Sequence, residues 1–225
     1  MDVKILPRII DLSCVKTDIV KTELEEMVKL AAERHFVCCF AMPYYTGWLC
    51  DQLKDYDDIA VGGAIGFPSG SVLTRQKVDE AKYFLSVGCK EFDMVMNISA
   101  LKSKDYDEVQ KDIMAVKEVV GDNLFKVIIE VPCLTDYEIC KASEIVVKCG
   151  ADYVKTGTGW QTSPTRLQHI KLIKSVVGND AKIKAAGGIH SLNDIVEMNA
   201  AGCSRFGIGI RRAKLILKEA GILDE

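Results

Sequence analysis

The chain has 225 residues, of which 48% are hydrophobic, and its 29 basic and 32 acidic residues give a net charge of −3. This length fits one domain spanning residues 1–225, because α/β barrels commonly reach this size as a single unit. The charges are interspersed, so there is no basic stripe of the kind that binds nucleic acid and no polybasic cluster of the kind that binds a membrane surface. Neither partner is expected.

Cysteine usage and hydropathy predict a cytoplasmic protein. The nine cysteines are an odd number and include no C-x-x-C pair, which favours free thiols in a reducing compartment. The first residues lack the apolar region of a signal peptide. The longest uncharged stretch, residues 35–50, contains Pro43 and Gly47 and is too short to span a bilayer.

Short apolar runs alternate with amphipathic helical patterns at spacings of about 25–30 residues. The predicted strands are residues 8–10, 36–41, 59–65, 91–95, 126–131, 153–155, 182–185 and 205–207. Helices are predicted between them, including residues 18–34, 75–87, 135–149 and 164–177. Eight strands alternating with helices predict an α/β fold, a single (β/α)8 TIM barrel. An open doubly wound sheet is the alternative, and the even eightfold count disfavours it.

Active-site groups of such a barrel lie where the strands end and in the loops that follow. This rule selects Asp93 on strand four, Glu130 at the end of strand five, Lys155 at the end of strand six and Lys184 near the end of strand seven. A lysine is costly to bury. Taken alone, either lysine is equally well explained as a side chain that points outward.

The two lysines together predict imine chemistry. Strands six and seven are neighbours, so Lys155 and Lys184 are expected at the same mouth of the barrel. A nearby positive charge and partial desolvation both favour the neutral amine, which is the form that attacks a carbonyl carbon. Asp93 is then placed to hold water or a substrate hydroxyl and to move protons.

Two glycine-containing loops predict a phosphate site. Gly187 and Gly188 follow strand seven, and Gly209 follows strand eight just before a helix. Loops in these positions, together with a helix N-terminus, bind phosphate in many TIM barrels. Arg211 and Arg212 stand beside this loop and are candidate anion ligands. Turns need glycine in any case, and a helix start often carries solvated arginines, so ordinary structural roles remain the alternative for each.

No metal site is predicted. The three histidines, His35, His169 and His190, are far apart in the sequence and suggest neither a metal triad nor a nucleophile–base pair. An imine supplies its own electron sink, so no cofactor is expected. Trp160 is interpreted either as a core residue or as a wall of the barrel mouth.

The sequence resembles the deoxyribose-phosphate aldolases, a family of class I aldolases, over nearly its whole length. The matching segments are residues 65–70 with 74–77, 91–97, 126–130, 154–159 and 183–189. In that family the lysine matching Lys155 forms the Schiff base, the lysine matching Lys184 perturbs its pKa, and the aspartate matching Asp93 joins the proton relay. The resemblance implies a small phosphorylated sugar or aldehyde as substrate, a homodimer or other homo-oligomer, and a substrate site that includes Gly159.

Several positions around the substrate depart from the family pattern. Phe40-Ala41-Met42-Pro43 stands where the family has Cys-Val-Asn-Pro, and Gly157 replaces a serine. Two serines of the phosphate loop are matched by Gly209 and Ile210. The leading expectation is cleavage of 2-deoxy-D-ribose 5-phosphate to D-glyceraldehyde 3-phosphate and acetaldehyde. The alternatives are the same chemistry on another phosphorylated or acidic substrate, or a barrel that binds sugar phosphate without catalysis.

Overall fold

The computed structural model describes residues 1–223, which form a closed barrel of eight parallel strands. Each strand pairs with the next along the chain, and the eighth pairs with the first. The strands are β1 (Ile10–Cys14), β2 (Cys38–Ala41), β3 (Ala60–Ile65), β4 (Glu91–Val95), β5 (Leu124–Ile128), β6 (Tyr153–Lys155), β7 (Lys182–Ala186) and β8 (Arg205–Gly209). The predicted (β/α)8 TIM barrel is confirmed.

The first helix precedes β1, the last follows β8, and the others connect successive strands of the barrel. The helices are α1 (Leu6–Ile9), α2 (Lys21–Arg34), α3 (Pro43–Leu53), α4 (Thr74–Ser86), α5 (Ile98–Lys102), α6 (Tyr106–Val120), α7 (Asp136–Lys148), α8 (Leu167–Val177), α9 (Leu192–Ala200) and α10 (Ile210–Glu219). Within the described part of the chain, no helix is both long and apolar enough to cross a membrane.

The hydrophobic core lies between the strands and the helices, and the barrel interior is largely polar. Residues of the strands alternate between the two sides. Thus Leu12, Phe92 and Ile183 belong to the hydrophobic core, whereas the adjacent Asp11 and Asp93 are buried polar residues in the interior. This alternation separates an apolar layer that stabilises the fold from a charged layer that is available for chemistry.

The structure corrects the predicted bounds of six strands, by one or two residues at one end of β2, β3, β7 and β8 and most clearly for β1 and β5. Residues 8–9 belong to the one-turn helix α1, which has Pro7 in its first turn, and β1 begins only at Ile10. Strand β5 ends at Ile128, because Glu130 adopts a left-handed conformation with a φ of 54° and starts a 3-10 turn at Val131. The predicted bounds of β4 and β6 are those of the structure.

Candidate active site

Seven charged side chains from six strands fill the barrel, and they are called the charged interior below. They are Asp11, Glu91, Asp93, Lys126, Lys155, Lys184 and Arg205. All of them are buried, so each charge needs a partner within the cluster. The partners come from different strands, because inward-facing residues of a closed barrel meet across its axis.

Asp93 is the centre of this cluster. Its Oδ2 accepts hydrogen bonds from Lys155 Nζ at 2.8 Å and from Lys184 Nζ at 2.5 Å. Its Oδ1 accepts a hydrogen bond from Lys126 Nζ at 3.0 Å. Burial by itself raises the pKa of Asp93, but the three surrounding ammonium groups hold that pKa well below its ordinary value. Asp93 is therefore a permanent carboxylate in the resting protein.

A second set of ion pairs lies deeper in the barrel. Arg205 binds Asp11 through Nε and Glu91 through a terminal nitrogen at 2.7 Å. Lys126 Nζ donates to Glu91 Oε2 at 2.6 Å, and Lys184 Nζ lies 2.5 Å from Asp11 Oδ2. Burial alone lowers the pKa of Lys126, but the neighbouring carboxylates raise it above its ordinary value. These contacts hold Lys184 and Asp93 in place.

The pKa of Lys155 is lowered from its ordinary value to about 8. The main cause is burial; Asp93 opposes the shift, and the positive charge of Lys184 adds to it. The charged interior has three carboxylates and four potential cations, so its charges balance when one cation releases a proton. The lowered pKa of Lys155 makes that release easier there, and it leaves a neutral amine for nucleophilic attack.

The same interior contains a possible set of metal ligands. Oxygen and sulfur atoms of Asp11, Cys38 and Glu91 lie within 4.8 Å of one another. Both carboxylates are already paired with lysine or arginine, and burial raises the pKa of the Cys38 thiol well above its ordinary value. A cation would have to displace those ammonium and guanidinium groups, so these residues fit an ion-pair cluster better than a metal site.

Glu130 fixes the loop that follows Lys155. Its buried carboxylate accepts hydrogen bonds from the Thr158 backbone N–H at 3.1 Å and from the Thr158 hydroxyl at 2.6 Å. Burial raises the pKa of Glu130, although the Thr158 hydrogen bonds and Lys155 work against that rise. The side chain was expected at the end of a strand, but it lies two residues beyond β5.

The glycines of the predicted phosphate site lie together at the barrel mouth. Gly159 and Gly187 have φ values of 77° and 85°, which favour glycine. A Cβ on Gly187 would lie 3.2 Å from the Gly159 backbone nitrogen, so the two loops approach closely. Gly188 follows directly, and Gly209 is the last residue of β8 and the N-cap of α10. All four line one cavity of about 520 Å³, together with Lys155 and Lys184.

Lys16 lines one side of this cavity, and Trp160 packs behind it against Val15 and Phe67, which also line the cavity. The indole Nε1 donates to the Val15 carbonyl at 2.8 Å, and the ring makes an edge contact with Phe67. Lys16 Nζ donates to the Gly159 carbonyl at 2.6 Å and lies 5.5 Å from the centre of the Trp160 ring. The ammonium is thus held beside the glycine loops. Lys16 was not among the predicted site residues.

The two candidate arginines line the cavity but differ in their contacts. Arg211 is bound to Glu23 through Nε at 2.8 Å, and its side chain is 85% exposed. One terminal nitrogen of Arg212 donates to the His190 carbonyl at 3.4 Å. Arg211 is therefore oriented by a carboxylate at the mouth, whereas Arg212 has more donors available.

The structure thus brings the predicted residues Asp93, Lys155 and Lys184 into contact, and it gathers the predicted glycines and arginines around one cavity. The sequence interpretation missed Asp11, Glu91, Lys126 and Arg205. A signal was present, since Glu91 and Asp93 are two positions apart on a strand and must share a face. Charged residues that share the inward face of a barrel strand require partners inside the barrel.

The sequence profile of the DeoC/LacD family aldolases matches residues 6–214. A deoxyribose-phosphate aldolase of Sinorhizobium medicae is 39% identical over 218 residues, which cover 97% of this chain and 88% of that protein. One of Staphylococcus carnosus is 41% identical over 198 residues, covering 88% of this chain and 90% of that protein.

Solved structures show the same similarity. An aldolase called QR15 superimposes with a TM-score of 0.86 at 34% identity, covering 95% of this chain and 96% of that one. The deoxyribose phosphate aldolase of Aeropyrum pernix, described as a unique tetramer, gives a TM-score of 0.84 at 26% identity and covers 96% of this chain and 90% of that one.

Proposed function

The chain belongs to the DeoC/LacD family of aldolases, and we propose that it is a class I aldolase that cleaves 2-deoxy-D-ribose 5-phosphate to D-glyceraldehyde 3-phosphate and acetaldehyde. The observation that carries this proposal is the buried contact of Lys155 Nζ and Lys184 Nζ with one oxygen of Asp93 at the wall of the cavity, and the lowered pKa of Lys155 agrees with it. The names of the relatives, deoxyribose-phosphate aldolase, support the substrate.

Lys155 performs the covalent chemistry in this proposal. Its neutral amine attacks the C1 aldehyde of the open-chain sugar, and loss of water gives a protonated imine. The imine accepts the electron pair of the C2–C3 bond as that bond breaks, while the C3 hydroxyl loses its proton and leaves as the aldehyde of glyceraldehyde 3-phosphate. The remaining two-carbon enamine stays attached to Lys155.

Asp93 and Lys184 handle the protons. The Lys184 ammonium is hydrogen-bonded to the same Asp93 oxygen as Lys155 Nζ, so a water molecule at this point contacts both an acid and a carboxylate. Protonation of the enamine at C2 regenerates an imine, and hydrolysis of that imine releases acetaldehyde. Asp93 begins and ends the cycle as a carboxylate, and in that form it offsets the positive charge of the imine.

The test of this function is a coupled assay in which a dehydrogenase reduces the released acetaldehyde. The protein should consume 2-deoxyribose 5-phosphate and release one acetaldehyde for each glyceraldehyde 3-phosphate. If the protein does not cleave this sugar but cleaves another phosphorylated or acidic aldol, the proposed substrate is wrong and the proposed imine chemistry stands. Failure with every aldol would favour a barrel that binds without catalysis.

The phosphate is proposed to bind at the glycine loops. Backbone N–H groups of Gly187, Gly188 and Gly209 and the N-terminus of α10 favour an anion without needing a side chain. Gly159 contributes the facing loop, and Lys16 adds an ammonium group that has donors free beyond its bond to Gly159. Such charge-assisted contacts substitute for the two serines that this chain lacks.

Removal of one of these cations should weaken binding of the phosphorylated sugar. Lys16→Met, Arg211→Ala or Arg212→Ala is expected to raise its KM at least about tenfold with little change in kcat, since a hydrogen bond to a charged group contributes about 1.5–3 kcal/mol. The KM for uncharged 2-deoxyribose should not change. Lys214→Ala is the control, because this lysine is also on α10 but pairs with Glu26 and does not line the cavity.

The outcome separates the candidate ligands. A KM that rises only for Lys16→Met would assign the phosphate to the loop pair of Gly159 and Gly187. Equal KM values for all variants, with no preference of the unaltered protein for the phosphorylated sugar, would reject the phosphate site and favour a different substrate.

We also propose a cellular compartment, from the cysteine content, and an oligomeric state, from the similarity to a solved aldolase. All nine cysteines are free thiols, which supports a reducing compartment such as the cytoplasm. The tetramer described for the Aeropyrum pernix enzyme supports a homo-oligomer, which light scattering of the purified protein would test.

A further inference from the structure

An aromatic ring occupies the barrel interior directly opposite Lys155. Phe40 is on β2 and Lys155 is on β6, and these strands are separated by half of the eight-stranded circle. The Phe40 side chain is buried and forms part of the wall of the active-site cavity. It stands among charged groups, since its ring centre is 5.7 Å from Lys155 Nζ and 4.4 Å from Lys184 Nζ.

The neighbouring strand is shaped to accept this ring. Phe40 pairs in register with Gly62 on β3. A Cβ on Gly62 would lie 2.1 Å from the Phe40 ring, so no larger residue fits at Gly62 while the ring is in place. The backbone φ of Gly62 is not positive, and glycine is therefore required here by space, not by conformation. Phe40 and Gly62 form one structural unit.

The distance from the ring to Lys155 limits what the amine can carry. Carbon atoms in contact are about 3.5–4.0 Å apart, so the 5.7 Å from Nζ to the ring centre leaves only about 2 Å along that line for a carbon atom attached to Nζ. Where the imine extends towards the ring, its first carbon fits and the carbon beside it touches the ring. A further substituent on the side of that second carbon that faces the ring has to displace Phe40, whereas the C2–C3 bond of the sugar points away from the ring into the cavity.

We propose that Phe40 determines which carbonyl donors Lys155 accepts, by admitting a two-carbon aldehyde and excluding donors with an additional substituent next to the carbonyl carbon. This inference rests on the proposed aldolase function. The ring also packs its face towards Lys184, where a cation over an aromatic ring is stabilised. Phe40 therefore forms one wall of the space that holds the donor aldehyde on Lys155. The ion pairs of the charged interior stay intact around it.

The test measures donor choice in the synthetic direction. The kcat/KM for propanal divided by that for acetaldehyde is compared between the unaltered protein and Phe40→Ala, with glyceraldehyde 3-phosphate as acceptor. We expect the ratio to rise at least about tenfold, because one methylene in an apolar pocket commonly changes kcat/KM by about 10–200-fold. A smaller rise, or a fall, overturns the proposal. The ratio does not depend on the amount of active protein.

Two further variants keep the test interpretable. Phe36→Ala removes a fully buried ring two residues before β2 that does not line the cavity, so it should lose stability without changing the ratio. Phe40→Leu retains an apolar side chain and should move the ratio in the same direction if Phe40→Ala does not fold. An unchanged ratio in Phe40→Leu would then overturn the proposal.

Reduction of the acetaldehyde imine with borohydride separates the two proposals. An acetaldehyde adduct on Lys155 with an unchanged propanal ratio would refute only the role of Phe40. The absence of any adduct, in the unaltered protein and the variants alike, would refute the aldolase function itself.

Discussion

Asp93→Asn should lower kcat at least about a hundredfold, since a positioned acid–base group contributes about 10²–10⁴-fold. The carboxylate binds three ammonium groups, from Lys126, Lys155 and Lys184, and an amide carries no charge to balance them. The exchange of solvent deuterium into the methyl group of acetaldehyde reports imine formation and proton transfer without any cleavage of a carbon–carbon bond, and this exchange should slow by the same factor.

A matched variant separates this effect from a loss of stability. Asp112 is also buried and binds Lys77 Nζ at 2.5 Å, away from the cavity. Breaking a buried pair costs about 3–5 kcal/mol, so Asp112→Asn should lower the free energy of unfolding about as much as Asp93→Asn. It should leave deuterium exchange in the folded protein unchanged. Exchange at the normal rate in Asp93→Asn would exclude Asp93 from the proton path.

Lys184→Met should slow imine formation at neutral pH at least about tenfold and restore most of the rate in alkaline buffer. With a pKa of about 8, about one tenth of Lys155 is neutral at pH 7, and each unit of increase in that pKa removes a further factor of about ten. Loss of the Lys184 charge removes a repulsion that lowers the pKa of Lys155. The neutral amine therefore appears only at higher pH.

The measurement is the rate of borohydride-trapped imine as a function of pH. Lys77→Met is the control, because it removes another buried ammonium from an ion pair but does not face Lys155. Its pH profile should coincide with that of the unaltered protein. A profile of Lys184→Met that keeps its position on the pH axis would show that Lys184 does not set the pKa of Lys155.

The repeating architecture could be predicted because each βα unit carries its own periodic signal. The predicted bounds of strand β4 are the observed ones. The signals that define this strand, its apolar residues and the loop after it, are all close together in the sequence. Strand β1 was placed too early, because the apolar residues Ile9 and Ile10 fit either a strand or a helix. The inward-facing Asp11 and Ser13 interrupt the apolar run of the true strand.

The charged interior could be predicted only in part, because its pairs are distant in the sequence. Lys155 and Lys184 lie side by side in register on neighbouring strands, so strand order alone brings them together. Arg205 and Glu91 are 114 residues apart and meet only in the closed barrel. The contact of Lys16 with Gly159 joins two irregular loops, for which the sequence has no periodic signal.

The imine on Lys155 is the central claim, and one measurement tests it directly. The protein is incubated with 2-deoxyribose 5-phosphate, reduced with borohydride, digested and examined by mass spectrometry. The lowered pKa of Lys155 and its place in the cavity predict a stable adduct on Lys155, with the two carbons of acetaldehyde or with the whole sugar, and none on Lys184. An adduct on Lys184, or full cleavage of the sugar with no lysine adduct, would contradict the account.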